Sequence, residues 1–493
     1  MFLAIILLLI FAFFAGLMYL NKLPALIALP LMAVLIGLFS GMPLKDIAAY
    51  IVSDGAVRLN LAIVTVLFGS MLSQFVGNSG IAESLIKKVA ELSGDSPFRV
   101  CFIMTIVVAL LFTVLGGLGS VIMVASIVFP IMLSIGVLPL TAGCLFLLGL
   151  SFGGLFNLAN WQLYISVLGL SQAQILGFAG ILGLIFLAVL CVFLLIEVGA
   201  IFDLKKSLMN AAVIVLAFIA LYAAYAYGAV ALLYPFIKSL LFNPFAKYLF
   251  ILAGAAFAAA FIYDTARSII NIVKGGEDRK HVSFYAILTP VAPIILILGF
   301  AVYNLIYKPQ SAFDFPIITA IAAGILWGFL STLKKGSINI LSKSVFEGIG
   351  SVGPAVALIM GIGMVLNAVT HPAVTGVISP LILRVIPSNP VYYVVFFAVL
   401  APLALYRGPL NIWGMGAGLV GLLLSAKTMP VAAIMAALMS VGQIQGVCDP
   451  TNTHNVWIAN NLSLNVQDIL KKTIGYMWIL ALLGLIAAGV LYF

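Results

Sequence analysis

The chain has 493 residues, of which 65% are hydrophobic and only 8% are charged. A water-soluble domain carries roughly 25% charged residues, so a soluble fold is excluded, and the continuous apolar blocks lack the polar/apolar alternation of a membrane barrel. The net charge of +9 falls in short loops, where the positive-inside rule accounts for it without nucleic acid or any other polyanionic partner.

Apolar segments near the roughly 20 residues that cross a bilayer recur from end to end. They are expected at 2–20, 23–40, 59–77, 97–115, 119–136, 139–168, 174–196, 209–232, 246–262, 284–306, 315–333, 346–367, 390–406, 410–426, 429–460 and 473–493. The first, MFLAIILLLIFAFFAGLMYLNK, has no basic n-region and no A-x-A cleavage site, so it reads as a retained helix rather than a signal peptide. The longest polar stretch, 264–282, is only loop-sized, and no soluble domain is expected. Cys101, Cys144, Cys191 and Cys448 sit in apolar segments without CxxC or metal-ligand spacing and read as buried free thiols.

An internal repeat organises the chain. VLGGLGSVIMVASIVFPIMLSIGVLP at 114–139 parallels LYRGPLNIWGMGAGLVGLLLSAKTMP at 405–430: both open on a Gly-rich break and close on proline. Each leads into a helix that reaches a polar interruption, GGLFNLANWQ at 153–162 and GVCDPTNTHN at 446–455. Beyond these, LSQAQIL at 170–176 mirrors LNVQDIL at 464–470, and upstream SGDSPFRV at 93–100 mirrors IPSNPVYY at 386–393.

The basic residues orient the halves. Lys87, Lys88, Arg99, Lys205 and Lys206 mark the inner side of the first, Arg267, Lys274, Arg279 and Lys280 an inner loop, as do Lys334, Lys335 and Lys343, and Lys471 and Lys472 the inner end of the last helix. Threaded through the spans, these make the halves run in opposite directions, an inverted-topology repeat. Segments 97–136 and 390–426 fit either two crossings or one re-entrant hairpin. Their midpoints, GGLGS and RGPLN, favour hairpins, because loose backbone at membrane depth survives only against protein or a water-filled cavity.

The expected fold is therefore an all-α polytopic membrane protein with an inverted repeat, two re-entrant hairpins, two broken helices and about twelve transmembrane helices. Residues 1–58 read as N-terminal scaffold helices and 59–206 as the first repeat (hairpin 97–136, broken helix 139–168). Residues 207–345 read as four connecting spans and 346–493 as the second repeat (hairpin 390–426, broken helix 429–460).

Candidate chemistry collects at the breaks. No charged side chain occurs between Cys101 and Glu197, whereas Arg407 and Asp449 fall at two predicted breaks, where a charge in hydrocarbon costs about 2.5–3.5 kcal/mol or more. A broken helix offers N–H groups to an anion on one side and carbonyls to a cation on the other. Arg407 reads as a carboxylate clamp through its planar fork. Asn411 and Ser120 at the hairpin tips, with Asn157, Asn160 and Gln162 in the first break and Thr451, Asn452 and Thr453 in the second, complete a substrate cradle. Asp449 reads as a proton carrier or sodium ligand, with His454 beside it.

Structural readings stand next to these. Arg407 and Asp449 can neutralise each other as a pair, Asn157 and Asn160 can cap helices or bond between them, and His454 can be a helix cap. His371 reads as a loop residue, and Asp264 with Arg267 as a solvated pair. There is no Walker loop, HExxH, GxSxG elbow or cofactor fingerprint, so neither an enzyme nor an ATP-driven pump is expected, and no cofactor beyond a coupling Na+ or H+.

The layout resembles the ion-transporter superfamily of secondary carriers, in particular its citrate-transporter-like members (the citrate, gluconate and carboxylate permease type). The likeness runs through NKLPALIALPLMAVLIGLFSG at 21–41, GNSGIAESLIKKVAELSGDSPFRV at 77–100, LGGLGS, and LPLTAGCLFLLGLSFGGLFNLANW at 138–161, and resumes across the second repeat. It implies a scaffold and a moving transport part, with hairpin tips at Ser120 and Asn411 and breaks at Asn157 and Asn452. Such carriers move carboxylates with protons or sodium, some as homodimers, and a homodimer is one expectation here. Carriers of metal–citrate complexes have acidic residues where this chain has GGLGS, so metal–citrate transport is not expected. The expected function is symport of a small organic anion with H+ or Na+ across the cytoplasmic (inner) membrane, by alternating access. The alternative is a Na+/H+ antiporter on the same fold, with Asp449 as the exchange site, and a membrane assembly factor is a third reading.

Overall fold

The computed structural model describes residues 2–20, 22–94, 96–199, a few positions between 205 and 216, and residues 244–274, 282–307, 313–382, 385–414, 416–426 and 428–493. Most of the first connecting span, expected at 209–232, the basic residues Lys206, Arg279, Lys280 and Lys427, and the side chain of Arg407 lie outside the described residues.

The described residues are helical, with short π and 3-10 stretches and no strand. By length and composition seven helices among them can cross a membrane, or eight if the bent pair Pro139–Leu155 and Leu158–Leu168 counts as one span, and six further apolar helices are shorter. The expected twelve crossings draw on both sets.

Local chemistry sets many of the helix ends. Pro97, Pro139 and Pro390 each open a helix, where a missing N–H costs nothing and the fixed φ already suits the helix. Ser171 and Gln174 form a reciprocal capping box ahead of Gln172–Leu194. Asn465 takes the equivalent place before the last helix, accepting from the backbone N–H of Gln467 at 2.9 Å. These are the positions at which the sequence repeat is most legible, and the order of elements after Pro97 recurs after Pro390.

Two sets of helices pack into one body. Ala25–Phe39 lies on Gly353–Thr370, and Asn60–Asn78 carries Ile317–Ser331 and Ser337–Ser351. In the other set Pro97–Phe112 lies on Pro139–Leu155, and the last helix, Val466–Tyr492, runs along Val431–Cys448 and Gln172–Leu194. The sets meet where Leu158–Leu168 touches Asn60–Asn78 and where Gly416–Ala426 touches Gly353–Thr370.

In lipid, helices associate through close contact rather than hydrophobic burial, so small residues line the seams. A Cβ placed on Gly153 would lie 2.3 Å from the carbonyl oxygen of Ala109, and one on Gly149 would lie 2.7 Å from that of Thr105. This GxxxG pair seats the first broken helix backbone-to-backbone on the first hairpin arm. Gly153→Ala should therefore destabilise the protein by about 1–3 kcal/mol, seen as a lower unfolding temperature in detergent.

Each half contains a helix that stops midway and restarts. Pro139–Leu155 ends, and Leu158–Leu168 leaves it at 48°. Val431–Cys448 ends before Asp449, and Thr453–Asn461 restarts beyond it. The hairpins turn at 113–116, followed by Gly117 with a left-handed φ of 81° suited to glycine, and at 408–414 after a 3-10 stretch, Ala401–Arg407. The arms of the second hairpin, Pro390–Leu400 and Gly416–Ala426, have 11 residues each, roughly 16 Å of helix and half a hydrocarbon layer. A further interruption was not expected: the span read at 346–367 is divided at Val352, between Ser337–Ser351 and Gly353–Thr370.

Candidate functional site

The asparagines of the first break turn back onto the backbone. Asn157 caps Leu158–Leu168, its Oδ1 accepting from the N–H groups of Ala159 (3.0 Å) and Asn160 (3.4 Å). Its Nδ2 donates to the carbonyls of Phe112 (2.9 Å) and Leu115 (3.2 Å), the open end of the first hairpin arm. Asn160 Nδ2 donates to Gly154 O at 2.7 Å, and the Trp161 indole N–H to Leu155 O at 2.9 Å. The carbonyls that a helix leaves exposed at its C-terminus are thus taken up by side chains, six residues on within the broken helix and from Asn157 across to the hairpin arm.

The second break repeats the device. Asn452 Nδ2 donates to Gln445 O and Asn455 Nδ2 to Val447 O, both at 2.8 Å. Asp449 is fully buried, and its Oδ1 accepts from Thr451 N (2.9 Å) and Thr451 Oγ1 (2.6 Å). Asn455→Ala would leave the Val447 carbonyl without this donor, and should lower stability by about 1–3 kcal/mol, measurable as an earlier thermal transition.

Two cavities lie among these breaks. The larger, about 300 Å³, is bounded by the first hairpin turn, both breaks, Ser70 of Asn60–Asn78, and Ser351 and Val352 at the unexpected interruption. The smaller, about 170 Å³, lies where the two broken helices cross, beside Ser151, Tyr164, Asn411, Gln443 and Gln445. Asn160, Trp413 and His454 border both. The Trp413 indole N–H donates to Asn160 Oδ1 at 3.1 Å, joining the second hairpin to the first break along this shared wall.

The larger cavity collects the N-terminal ends of four helices: Gly117–Ser134, Leu158–Leu168, Gly353–Thr370 and Thr453–Asn461. Only the second of these is capped by a side chain, that of Asn157; the N-caps Gly116, Val352 and Asn452 make no side-chain cap. On the carbonyl side Asn157, Asn160 and Trp161 have bonded the first hairpin arm and first break, and Ser70 and Ser351 both donate to Gly348 O at 3.0 Å. The asymmetry decides the electrostatics. Each helix N-terminus carries roughly half a positive charge, the carbonyls of Phe112, Leu115, Gly154, Leu155 and Gly348 are bonded by side chains, and no Asp or Glu lines either cavity among the described residues. The larger cavity suits an anion.

The expected site residues divide accordingly. Asn157, Asn160, Thr453 and His454 come together around the larger cavity, and Asn160, Asn411 and His454 around the smaller. Asn411 is buried, its Oδ1 accepting from Trp413 N at 2.9 Å. Ser120, Thr451, Asn452, Asp449 and Gln162 do not border either cavity. Ser120 instead meets Ser73 at 2.5 Å and donates to Gly116 O at 2.9 Å, and Gln162 Nε2 donates to Ser166 Oγ. Arg407 has a described backbone only; it follows Tyr406, whose φ of 55° is a left-handed turn rare outside glycine.

Sequence reasoning missed Ser70, Ser351, Trp413, Gln443 and Gln445. The Gly353-Pro354 dipeptide marked a helix start, and two glutamines in an apolar span marked a polar crossing. Ser70 had no local signal.

Membrane-length helices, broken and folded back around a half-open cavity with polar groups set in a mainly apolar wall, define a multi-pass membrane protein. No protein-family model matches the chain, and no curated protein matches it. Among solved structures it is similar to the crystal structure of the Alcanivorax borkumensis YdaH transporter, described as having an unusual topology. The TM-score is 0.50 and the identity 13%, over 91% of this chain and 88% of that one. It is also similar to Neisseria gonorrhoeae MtrF, described as illuminating a class of antimetabolite efflux pumps, with a TM-score of 0.43, 14% identity and coverage of 92% and 83%. The first likeness shows the fold; the second, below 0.5, adds no argument.

Proposed function

We propose that this protein is a secondary active transporter that carries a small organic anion, a carboxylate, together with H+ or Na+ by alternating access in the cytoplasmic membrane. The observation that carries this reading is the larger cavity, where three helix N-termini without side-chain caps converge while the neighbouring carbonyls are bonded. Preorganised N–H groups aimed at one space favour a carboxylate or another oxyanion. In this reading Asn157, Asn160 and Asn452 hold the breaks open, while Thr453, His454 and Asn411 face the anion or its path. Arg407 pairs with the substrate carboxylate, and Asp449 and His454 take part in coupling. The scaffold is the set built on Asn60–Asn78 and Gly353–Thr370, the moving part holds the hairpins and broken helices, and the two halves are related by inverted topology. The likeness to citrate-transporter-like carriers supports the same assignment, with a homodimer as the working unit and neither a cofactor nor an enzymatic step.

Reconstitution into proteoliposomes tests it. Uptake of one labelled carboxylate driven by an imposed sodium or proton gradient is the expected result. Exchange of Na+ for H+ with no organic anion moved would replace this reading with the antiporter.

A further inference from the structure

Lys471 and Lys472 adjoin in sequence and serve alike as markers of an inner loop, but the fold treats them differently. Lys471 pairs with Asp468 one turn away, and both are largely exposed. Lys472 turns inward, its side chain 24% exposed, and pairs with Glu197, whose side chain is 17% exposed. The other described ion pairs, Lys87–Glu83 and Lys343–Glu347, are exposed contacts within single helices. Lys472–Glu197 alone among the described pairs joins two helices remote in sequence.

Glu197 lies in a π-helical turn, Leu195–Gly199, that ends Gln172–Leu194. Such turns are rare, and they commonly mark functional positions because they re-aim the side chains that follow. The turn faces the last helix, which runs antiparallel: Phe178 meets Tyr492 at one end, and Phe193 meets Tyr476 at the other. Tyr476, one turn beyond Lys472, donates its hydroxyl to the second oxygen of Glu197 at 3.4 Å. A carboxylate thus receives both a cation and a hydroxyl from one face of the last helix, which fixes that helix in depth and rotation.

The residue after Lys472 faces the other way. Thr473 is fully buried, and its Oγ1 lies 3.2 Å from Cys448 Sγ, on the last residue before Asp449. One turn of the last helix therefore grips the π-turn through Lys472 and Tyr476 while touching the second break through Thr473. The last helix also packs against the first broken helix, Pro139–Leu155, so it touches both broken helices.

We infer that Glu197 and Lys472 form a brace that holds the last helix against the second break, making them positioning residues for the Asp449 turn. The inference rests on the proposed transport reading only for its consequence in transport, and the brace itself is testable without a substrate. In protein with Cys101, Cys144 and Cys191 replaced by alanine, Cys448 is the only thiol, and it is buried. Glu197→Gln or Lys472→Met should speed its labelling by a membrane-permeant maleimide at least tenfold. The exchange Glu197→Lys with Lys472→Glu should return the rate to near that of the parent. In the same variants, uptake should need several-fold more of the coupling cation for half-maximal rate, again restored by the exchange. Single variants that lower the unfolding temperature yet leave Cys448 labelling and cation dependence unchanged would overturn the brace, as would failure of the exchange to restore labelling. If labelling responds as expected but no carboxylate is transported, the brace stands and the transport reading falls.

Discussion

Asn160→Asp should abolish carboxylate binding, lowering affinity by about 100-fold or more. Asn160 borders both cavities, so the substitution introduces a negative charge where four helix N-termini converge. At about 5 Å and an effective dielectric near 20, repulsion between two unit charges is roughly 3 kcal/mol, or two factors of ten in affinity. Asn160→Ala is the control. It removes the bond to Gly154 O and the acceptor for Trp413 without adding charge, and should weaken binding only about tenfold. Equal losses in the two variants, measured by titration calorimetry, would mean that shape and not electrostatics governs the cavity.

The second large effect is on folding. Asn157→Ala removes the side chain that bonds Phe112 O and Leu115 O and that caps Ala159 and Asn160. Each group left unsatisfied in a buried site costs about 1–3 kcal/mol, and the loss of a cap alone costs about 1 kcal/mol. A loss of about 3 kcal/mol or more is expected, with a sharp fall in the yield of monodisperse protein. Asn157→Asp should rescue only the cap, because a carboxylate accepts from the N–H groups but cannot donate to the carbonyls. Unfolding temperatures ordered parent, Asn157→Asp, Asn157→Ala are the expected outcome.

Much of this architecture was legible because membrane helices break for few reasons. GGLGS and RGPLN cannot continue a helix cleanly, and an asparagine cluster in hydrocarbon must bond something, so both breaks and both hairpin turns fall where glycine, proline and asparagine collect. What the asparagines bond was not legible. A side chain that caps its own helix end and one that faces a ligand leave the same mark in sequence. Asn157, Asn160, Asn452 and Asn455 all reach back to carbonyls, and the electrostatics fall to the three helix N-termini without side-chain caps. Ser120 shows a second limit: its partner, Ser73, is 47 positions away, beyond any local pattern. The interruption at Val352 was hidden by the unbroken apolarity on its far side, although Gly353-Pro354 announced it.

The most direct test is thermal unfolding of detergent-purified protein against a panel of carboxylates, each with and without sodium at two pH values. A ligand present at about 100 times its dissociation constant stabilises the native state by roughly 2.7 kcal/mol. The expected result is a shift confined to one carboxylate or a close chemical set, enhanced by sodium or acid and absent in Asn160→Asp. A transition that moves with sodium or pH alone, and to which no organic anion adds, would contradict it.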